Sequence, residues 1–473
     1  MALKRELGDW IDERQERFTT ISDQIWERPE VAMAEHFACD LQAETLEADG
    51  FRITRNVGDQ PTAFTAEWGE GAPIIGFLGE YDALPGLSQK SQATKDPVVP
   101  EAPGHGCGHN LLGTGAMAAA MAVKAWLNET GQSGTVRYYG CPAEETITGK
   151  VYMARAGAYD DLDAAITWHP WGTTTVSLGS SLAVDNLRFR FFGKTAHAAA
   201  QPEQGRSALD AVELMNNGVN YLREHVIEKA RIHYVITNGG GAPNVVPDEA
   251  EVWYFVRAPE REQVEAITAR VRKIAEGATL MTETTWEEDF QAGAYNVLPN
   301  KALADLALGV LRELDPLEFT AEEQEFAGTV ISGFPDGIRE AAVKARSLPA
   351  KLLDAPLVGD VIDPADEGEV GAGSTDVGDV SWITPTLQVH TTCWPFGIPG
   401  HSWGITSTGA MSIGHKGMIQ AAKAMAITAA ELYTNPDELA KAQAEFKERL
   451  DGRVYKTPLP EGAKPPAPQK PRA

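Results

Sequence analysis

Ten histidines and four cysteines occur in the chain, and those able to do chemistry stand in glycine-rich loops or at the ends of apolar runs. The segment Gly104-His105-Gly106-Cys107-Gly108-His109-Asn110 puts a thiol and an imidazole two residues apart, in a loop that its glycines let bend tightly. Such a pair can ligate one soft or borderline cation, or two adjacent ones. Taken alone, the segment also reads as a glycine-rich helix entry around a buried cysteine. Cys141-Pro142-Ala143-Glu144-Glu145 follows the run TVRYYG, at the carboxyl end of a predicted strand. That is the edge where α/β sheets place their sites. On a surface two adjacent carboxylates make a solvated turn. Beside a cation, one coordinates and the other takes a proton from water. His169 in Trp168-His169-Pro170 ends another strand, and His401 in Gly400-His401-Ser402-Trp403 follows a late one. Each position has an ordinary reading, but four of them on the rim of one sheet point to a metal centre.

These positions need a scaffold. Apolar residues from Leu7 to Trp26 recur at helical spacing until Pro29, and a second helix covers 34–48. FRITRNV, TAFTAEW and PIIGFLGEYD read as strands, the last buried on both faces. A small-residue helix follows GHGCGHN, then strand, helix and strand, so a mainly parallel sheet with helices on both faces is expected. The character changes near Leu187. Strand, helix, two strands, helix and strand then make a βαββαβ, ferredoxin-like pattern. The expected organisation is a catalytic domain in two parts, 1–186 and 297–455, with an inserted domain at 187–296. A tail at 456–473, with six prolines among its eighteen residues, is expected to be extended or disordered. The insert carries His197 in GKTAHAA, Asn244 in GGAPNVVP and Arg257 at a strand end. Singly these read as turns and a surface arginine. Together they could form a lid that brings neutral donors and a cation to a substrate.

Composition narrows the function classes. There are 41 Lys and Arg against 67 Asp and Glu, a formal net charge of −26. A field this negative disfavours nucleic acid and anionic membranes as partners. No apolar run approaches the roughly 20 residues of a membrane span. Four cysteines in 473 residues make no disulfide scaffold, and a reducing cytoplasm is the expected compartment.

The order CGH, EE, a strand-end His, GxxxHAA, the Asn of GGxxxN and a late His resembles the metallopeptidase family of aminoacylases, hippurate hydrolases, auxin-conjugate amidohydrolases and glutamate-releasing carboxypeptidases. The match runs from about Ile21 to Tyr433. The resemblance implies a zinc-peptidase-like α/β catalytic domain with a ferredoxin-like lid and dimerisation domain. It implies a site for one or two divalent ions, Mn2+ or Zn2+, held by Cys107, His109, Glu145, His169 and His401, with Cys107 bridging. By the same resemblance Glu144 is the general base and Asp82 orients a ligand from behind. His197 steadies the oxyanion across a dimer interface, and Asn244 and Arg257 bind substrate. Many two-metal relatives have a ligand His two residues before the equivalent of Asp82. Here that residue is Glu80, as the amidohydrolase branch also lacks the His.

The expected reaction is metal-assisted hydrolysis of an N-acyl amino acid. GEYDALPGLSQ, GHGCGHNLLGT, EHVIEKARIHYVITN and GDVSW narrow the resemblance to members acting on aroyl-glutamates, p-aminobenzoyl-glutamate above all. Other N-acyl amino acids and small dipeptides are the alternative substrates. Two rival readings are a thiol hydrolase using Cys107 with His109 or His169, and a partner subunit with little activity alone. The expected assembly is a homodimer or a hetero-oligomer with a homologous chain.

Overall fold

The computed structural model describes residues 2–468. Helices α1 (Ala2–Asp12), α2 (Gln15–Glu27) and α3 (His36–Ala48) precede strands β1 (Arg52–Arg55), β2 (Phe64–Glu70) and β3 (Ile74–Glu80). Then come α4 (His109–Thr130), β4 (Gly134–Cys141), α5 (Gly149–Arg155), β5 (Ala164–Trp171) and β6 (Thr175–Val176). The insert holds β7 (Ala183–Phe192), α6 (Ala208–Leu222), β8 (Arg231–Asn238), β9 (Glu249–Ala258), α7 (Arg261–Thr282) and β10 (Thr285–Ala294). The chain returns through α8 (Lys301–Glu313), α9 (Ala321–Ser332), α10 (Ile338–Ala345), α11 (Val377–Ser381), β11 (Thr386–Thr392), α12 (Trp403–Thr408), α13 (Ser412–Thr434) and α14 (Pro436–Leu450).

The larger sheet has the order β1-β2-β4-β3-β5-β11-β6. Only β4, β3, β5 and β11 run parallel. β1, β2 and β6 pair antiparallel at the two sides, so the sheet is more mixed than its alternation with helices implies. Alternate strand residues serve opposite faces, as a pleat requires. Phe77, Tyr138 and Ile166 join a core with residues of α1, α2, α4, α8 and α13. Leu78, Tyr139 and Ala165 face residues of α5 and α11. α4 lies so close to the sheet that a Cβ on Gly113 would meet the Glu80 carbonyl oxygen at 2.5 Å. That closeness brings the start of α4 to the carboxyl rim.

The insert forms a four-stranded antiparallel sheet, β10-β7-β9-β8, backed by α6 and α7. β7 starts at Ala183 rather than Leu187, because Ala183 to Asp185 already pair with Ala258 to Val256. The first helical run expected from sequence is two helices, with a break at Glu13 and Arg14. The tail has no regular secondary structure through residue 468, yet it is packed. Leu459 is buried among Ile147, Val151, Val184 and Ala294, where the insert joins the catalytic domain. Residues 469–473 of that tail lie outside the described residues.

Candidate metal centre and active site

Every rim ligand expected from sequence stands just before, at or beyond an element end. His109 is the first residue of α4, entered through Gly108 in a left-handed conformation, and Cys107 precedes it. Glu144 and Glu145 lie on a short 3-10 turn after β4. That turn is framed by Ala143 at φ 55° and Ile147 at φ 59°. Two left-handed non-glycine residues cost roughly 1–3 kcal/mol each. The local network offsets this. Ala143 N–H donates to Glu35 at 2.9 Å, and Glu145 N–H donates to Asp82 Oδ2 at 2.9 Å. Asp82 also accepts the His109 Nδ1–H at 2.9 Å through Oδ1. One carboxylate thus fixes the tautomer of His109 and the placement of Glu145, as carboxylates behind metal ligands do.

The donor atoms converge. Cys107 Sγ is 3.3 Å from His169 Nε2, and His401 Nε2 is 3.4 Å from Glu145 Oε2. Cys107, His109 and His169 form one group able to hold a cation, and Cys107, Glu145 and His401 form a second. Cys107 belongs to both. His109 Nε2 and Glu145 Oε1 are buried with no hydrogen-bond partner. Glu80 Oε2 does lie 3.3 Å from His109 Nε2, a charge contact without hydrogen-bond alignment. Two orphaned donor atoms amid thiol, imidazole and carboxylate fit a divalent cation, since buried polar atoms are otherwise paired.

The electrostatics are those of a crowded acid pocket: burial lowers His109, but Cys107 and Asp82 hold its imidazole well above the ordinary range. Burial, then Glu80 and Glu145, hold the Glu144 carboxyl well above its usual range. Burial raises Glu145 to about 7. Burial, then His109 and His390, push His169 down to about 3, which leaves a neutral imidazole. Burial and Glu145 raise the Cys107 thiol. A nucleophilic cysteine needs the opposite shift. A cation would favour the ionised form of each acid.

Residues 184–283 match the peptidase dimerisation domain of the M20 family. Over 472 residues the chain is 45% identical to a subunit of p-aminobenzoyl-glutamate hydrolase of Escherichia coli strain K12, and 98% of each chain is covered. The chain belongs to the M20 family of metal-dependent amidohydrolases and peptidases. Xaa-Arg dipeptidase of Mus musculus is 30% identical over 462 residues, with 95% of this chain and 93% of that one covered. The solved structure of a dinuclear metal-binding M20 peptidase from Bacillus subtilis shares the fold, with a TM-score of 0.55 at 19% identity. It covers 89% of this chain and 99% of that one.

The insert residues of this M20 chain are placed differently. His197 is exposed, and its Nδ1 accepts from Ala199 and Ala200 N–H at 3.3 and 3.2 Å. Asn244 is exposed on the facing loop, and its carbonyl accepts from Ala198 N–H at 3.0 Å. The two loops are joined to each other, and neither residue is in the cation-binding groups above. Arg257 is half-buried on β9. Its Nε lacks a hydrogen-bond partner, and burial lowers its pKa.

Sequence reasoning missed the groups behind the rim. Lys150 is fully buried, with Nζ 2.6 Å from Glu80 Oε1 and 2.6 Å from Asp376 Oδ1. Glu80, read only as a departure from the two-metal pattern, forms a third acid-rich group with His109 and Glu144. Glu35 is buried and accepts from Met33, Ala143 and Thr62. Burial, then Asp82, raise it to about 8. An apolar-flanked lysine in GKVYMA was the one available signal.

Proposed function

We propose that this M20 chain hydrolyses the amide bond of N-aroyl amino acids, p-aminobenzoyl-glutamate being the substrate that fits best, to release p-aminobenzoate and glutamate. The observation that carries this is the meeting of Cys107, His109, Glu145, His169 and His401 on one rim, with Glu144 beside them. The 45% identical relative bears that substrate in its name.

Cys107, His109, Glu145, His169 and His401 would hold Mn2+ or Zn2+. Bound there, the ion supplies Lewis acidity to the scissile carbonyl and makes a water acidic. Glu144, kept protonatable by its buried carboxylate neighbours, takes the proton of the attacking water and returns it to the leaving amine. Asp82 keeps His109 and Glu145 in register throughout. One or two ions would be held, because Cys107 belongs to both candidate groups.

Arg257 would pair with the substrate carboxylate, a use suited to its bare Nε. Asn244 would contact the carbonyl end. His197 would donate to the oxyanion of a neighbouring subunit's substrate, a contribution typically worth about 3 to 4 kcal/mol. The exposed edge strand β8, with Val235 53% and Ile236 39% exposed, supports assembly through the insert. The partner is a second copy or a homologous chain. Four free cysteines support a reducing cytoplasm, and among the described residues no helix is long and apolar enough to cross a membrane.

The test is glutamate release from p-aminobenzoyl-glutamate by the purified chain with Mn2+ or Zn2+ added, alone and with a related subunit. Activity alone supports the reading. Activity only in the mixture assigns the chain a partner role, and turnover only of other N-acyl amino acids or dipeptides shifts the substrate class.

A further inference from the structure

A cavity of about 610 Å3 opens between the catalytic rim and the insert. Its rim side is built from the loops that carry the site. Thr146 directly follows Glu145, Thr148 is two residues on, and Pro85 is three past Asp82. Met33 completes that side. The opposite side is the sheet face turned away from α6 and α7. Arg188 and Trp253 lie on it, because they alternate with the core residues Leu187, Phe189, Val252 and Tyr254. The third side is the tail, where Pro466, Ala467 and Pro468 line the space.

The lining chemistry selects a ligand. Trp253 is held rigid: its indole N–H donates to Asn186 Oδ1 at 2.5 Å, and the Arg188 guanidinium stacks 4.5 Å over its ring. The charge of Arg188 is already committed to Glu251 at 2.8 Å, which makes this side a poor partner for a carboxylate. The hydroxyls of Thr146 and Thr148 donate to the Ala143 and Thr146 carbonyls at 3.2 and 3.0 Å, so their oxygens remain as acceptors; with indole, thioether and proline surfaces they suit a flat neutral ring bearing a hydrogen-bond donor. The volume lies within the usual 300–1,000 Å3 or so of small-molecule pockets.

The tail is a built wall. Tyr152 hydroxyl donates to the Lys464 carbonyl at 2.7 Å, Arg155 Nη1 donates to the Ala463 carbonyl at 2.7 Å, and Leu459 is buried at the domain junction. Prolines fix its φ angles and leave few N–H groups to satisfy.

We infer that this cavity holds the aromatic acyl group of the substrate, with Trp253 and Met33 as selecting walls and Pro466–Pro468 closing it. The inference rests on the proposed amidohydrolase reading and names the subsite that sets its acyl preference.

The experiment compares kcat/KM for benzoyl-glutamate and acetyl-glutamate in the full metal-loaded protein. Trp253→Ala should lower the benzoyl-to-acetyl ratio by about 10- to 100-fold, and Trp253→Phe should retain most of it. A chain ended after Pro465 keeps the bonds to Ala463 and Lys464 and should shift the ratio the same way by a smaller factor. A ratio unchanged in both Trp253→Ala and the shortened chain overturns the inference. Calorimetric binding of 4-aminobenzoate separates it from the proposed function. If the wild-type protein cleaves no N-acyl amino acid, that function fails while the cavity stays testable. Weaker 4-aminobenzoate binding in Trp253→Ala then supports the subsite, and equal or absent binding in both proteins overturns it.

Discussion

On the rim, Asp82, Glu35 and Lys150 hold the ligand-bearing loops from behind, whereas on the insert His197 and Asn244 stand on exposed loops joined mainly to each other's backbone. Apart from the exposed His401, the rim is largely buried and densely charged, and His109 Nε2 and Glu145 Oε1 stand there without hydrogen-bond partners. The insert side is open, and among the described residues its edge strand β8 is paired on one side alone. Metal chemistry needs donors fixed before the ion arrives, which burial and paired carboxylates provide. Substrate capture needs access. The contrast teaches that the candidate metal ligands converge within one chain, while His197 and Asn244 stand outside those groups, as the proposed service to a neighbour requires.

The largest break in that contrast comes from Glu144. Glu144→Gln should cut kcat by about 100- to 10,000-fold or more while the ligand set still binds metal. Metal per chain, measured beside activity, checks it. Activity that survives puts the base elsewhere. Chelation of the wild-type protein should abolish turnover reversibly, and persistence without metal would revive the thiol reading. The insert side is probed by His197→Ala, with an expected loss of roughly 100- to 1,000-fold. Mixed with Glu144→Ala chains, it should regain activity if His197 serves the neighbouring site. No regain despite demonstrated subunit exchange would return His197 to its own chain.

Lys150 sharpens the same comparison from behind the rim. Lys150→Met leaves Glu80 and Asp376 buried without their cation, and removing one partner of such a group costs about 3–5 kcal/mol. Denaturant unfolding should show it, and Lys150→Met with Glu80→Gln should recover part of the loss. A stability equal to wild type would mean that the carboxylates are already neutral.

The division between legible and illegible residues follows from where the information lies. Cys107, His109, Glu144, Glu145, His169 and His401 carry local signals: glycines before a helix, or a strand end followed by a turn. The βαββαβ order of the insert is likewise periodic and local. The Lys150–Asp376 pair joins residues 226 apart in sequence, and nothing beside either one announces the other. The packing of the tail was hidden for a related reason. Its composition has little apolar content, but Leu459 packs on residues of both domains and two backbone carbonyls bond Tyr152 and Arg155, more than 300 residues earlier. The antiparallel margins of the large sheet escaped because strand direction depends on pairing partners, which alternation with helices does not specify.

The smallest expected effect concerns charge. A chain of net charge −26 that binds an anionic substrate should repel it at long range. At physiological salt the Debye length is about 8 Å, so most of that field is screened before contact. On the proposed function, attraction would then come from the bound ions and Arg257 at short range. Arg257 stands half-buried, with its ring neighbour Phe255 5.1 Å from the guanidinium. Buried pairs are screened less than exposed ones. KM for p-aminobenzoyl-glutamate should therefore change by less than about threefold between 0.05 and 0.5 M salt, while Arg257→Ala should raise it by roughly 10-fold or more. A KM that rises steeply with salt would show that capture depends on exposed cations of the open insert. The substrate would then be held from the less ordered side of the cleft.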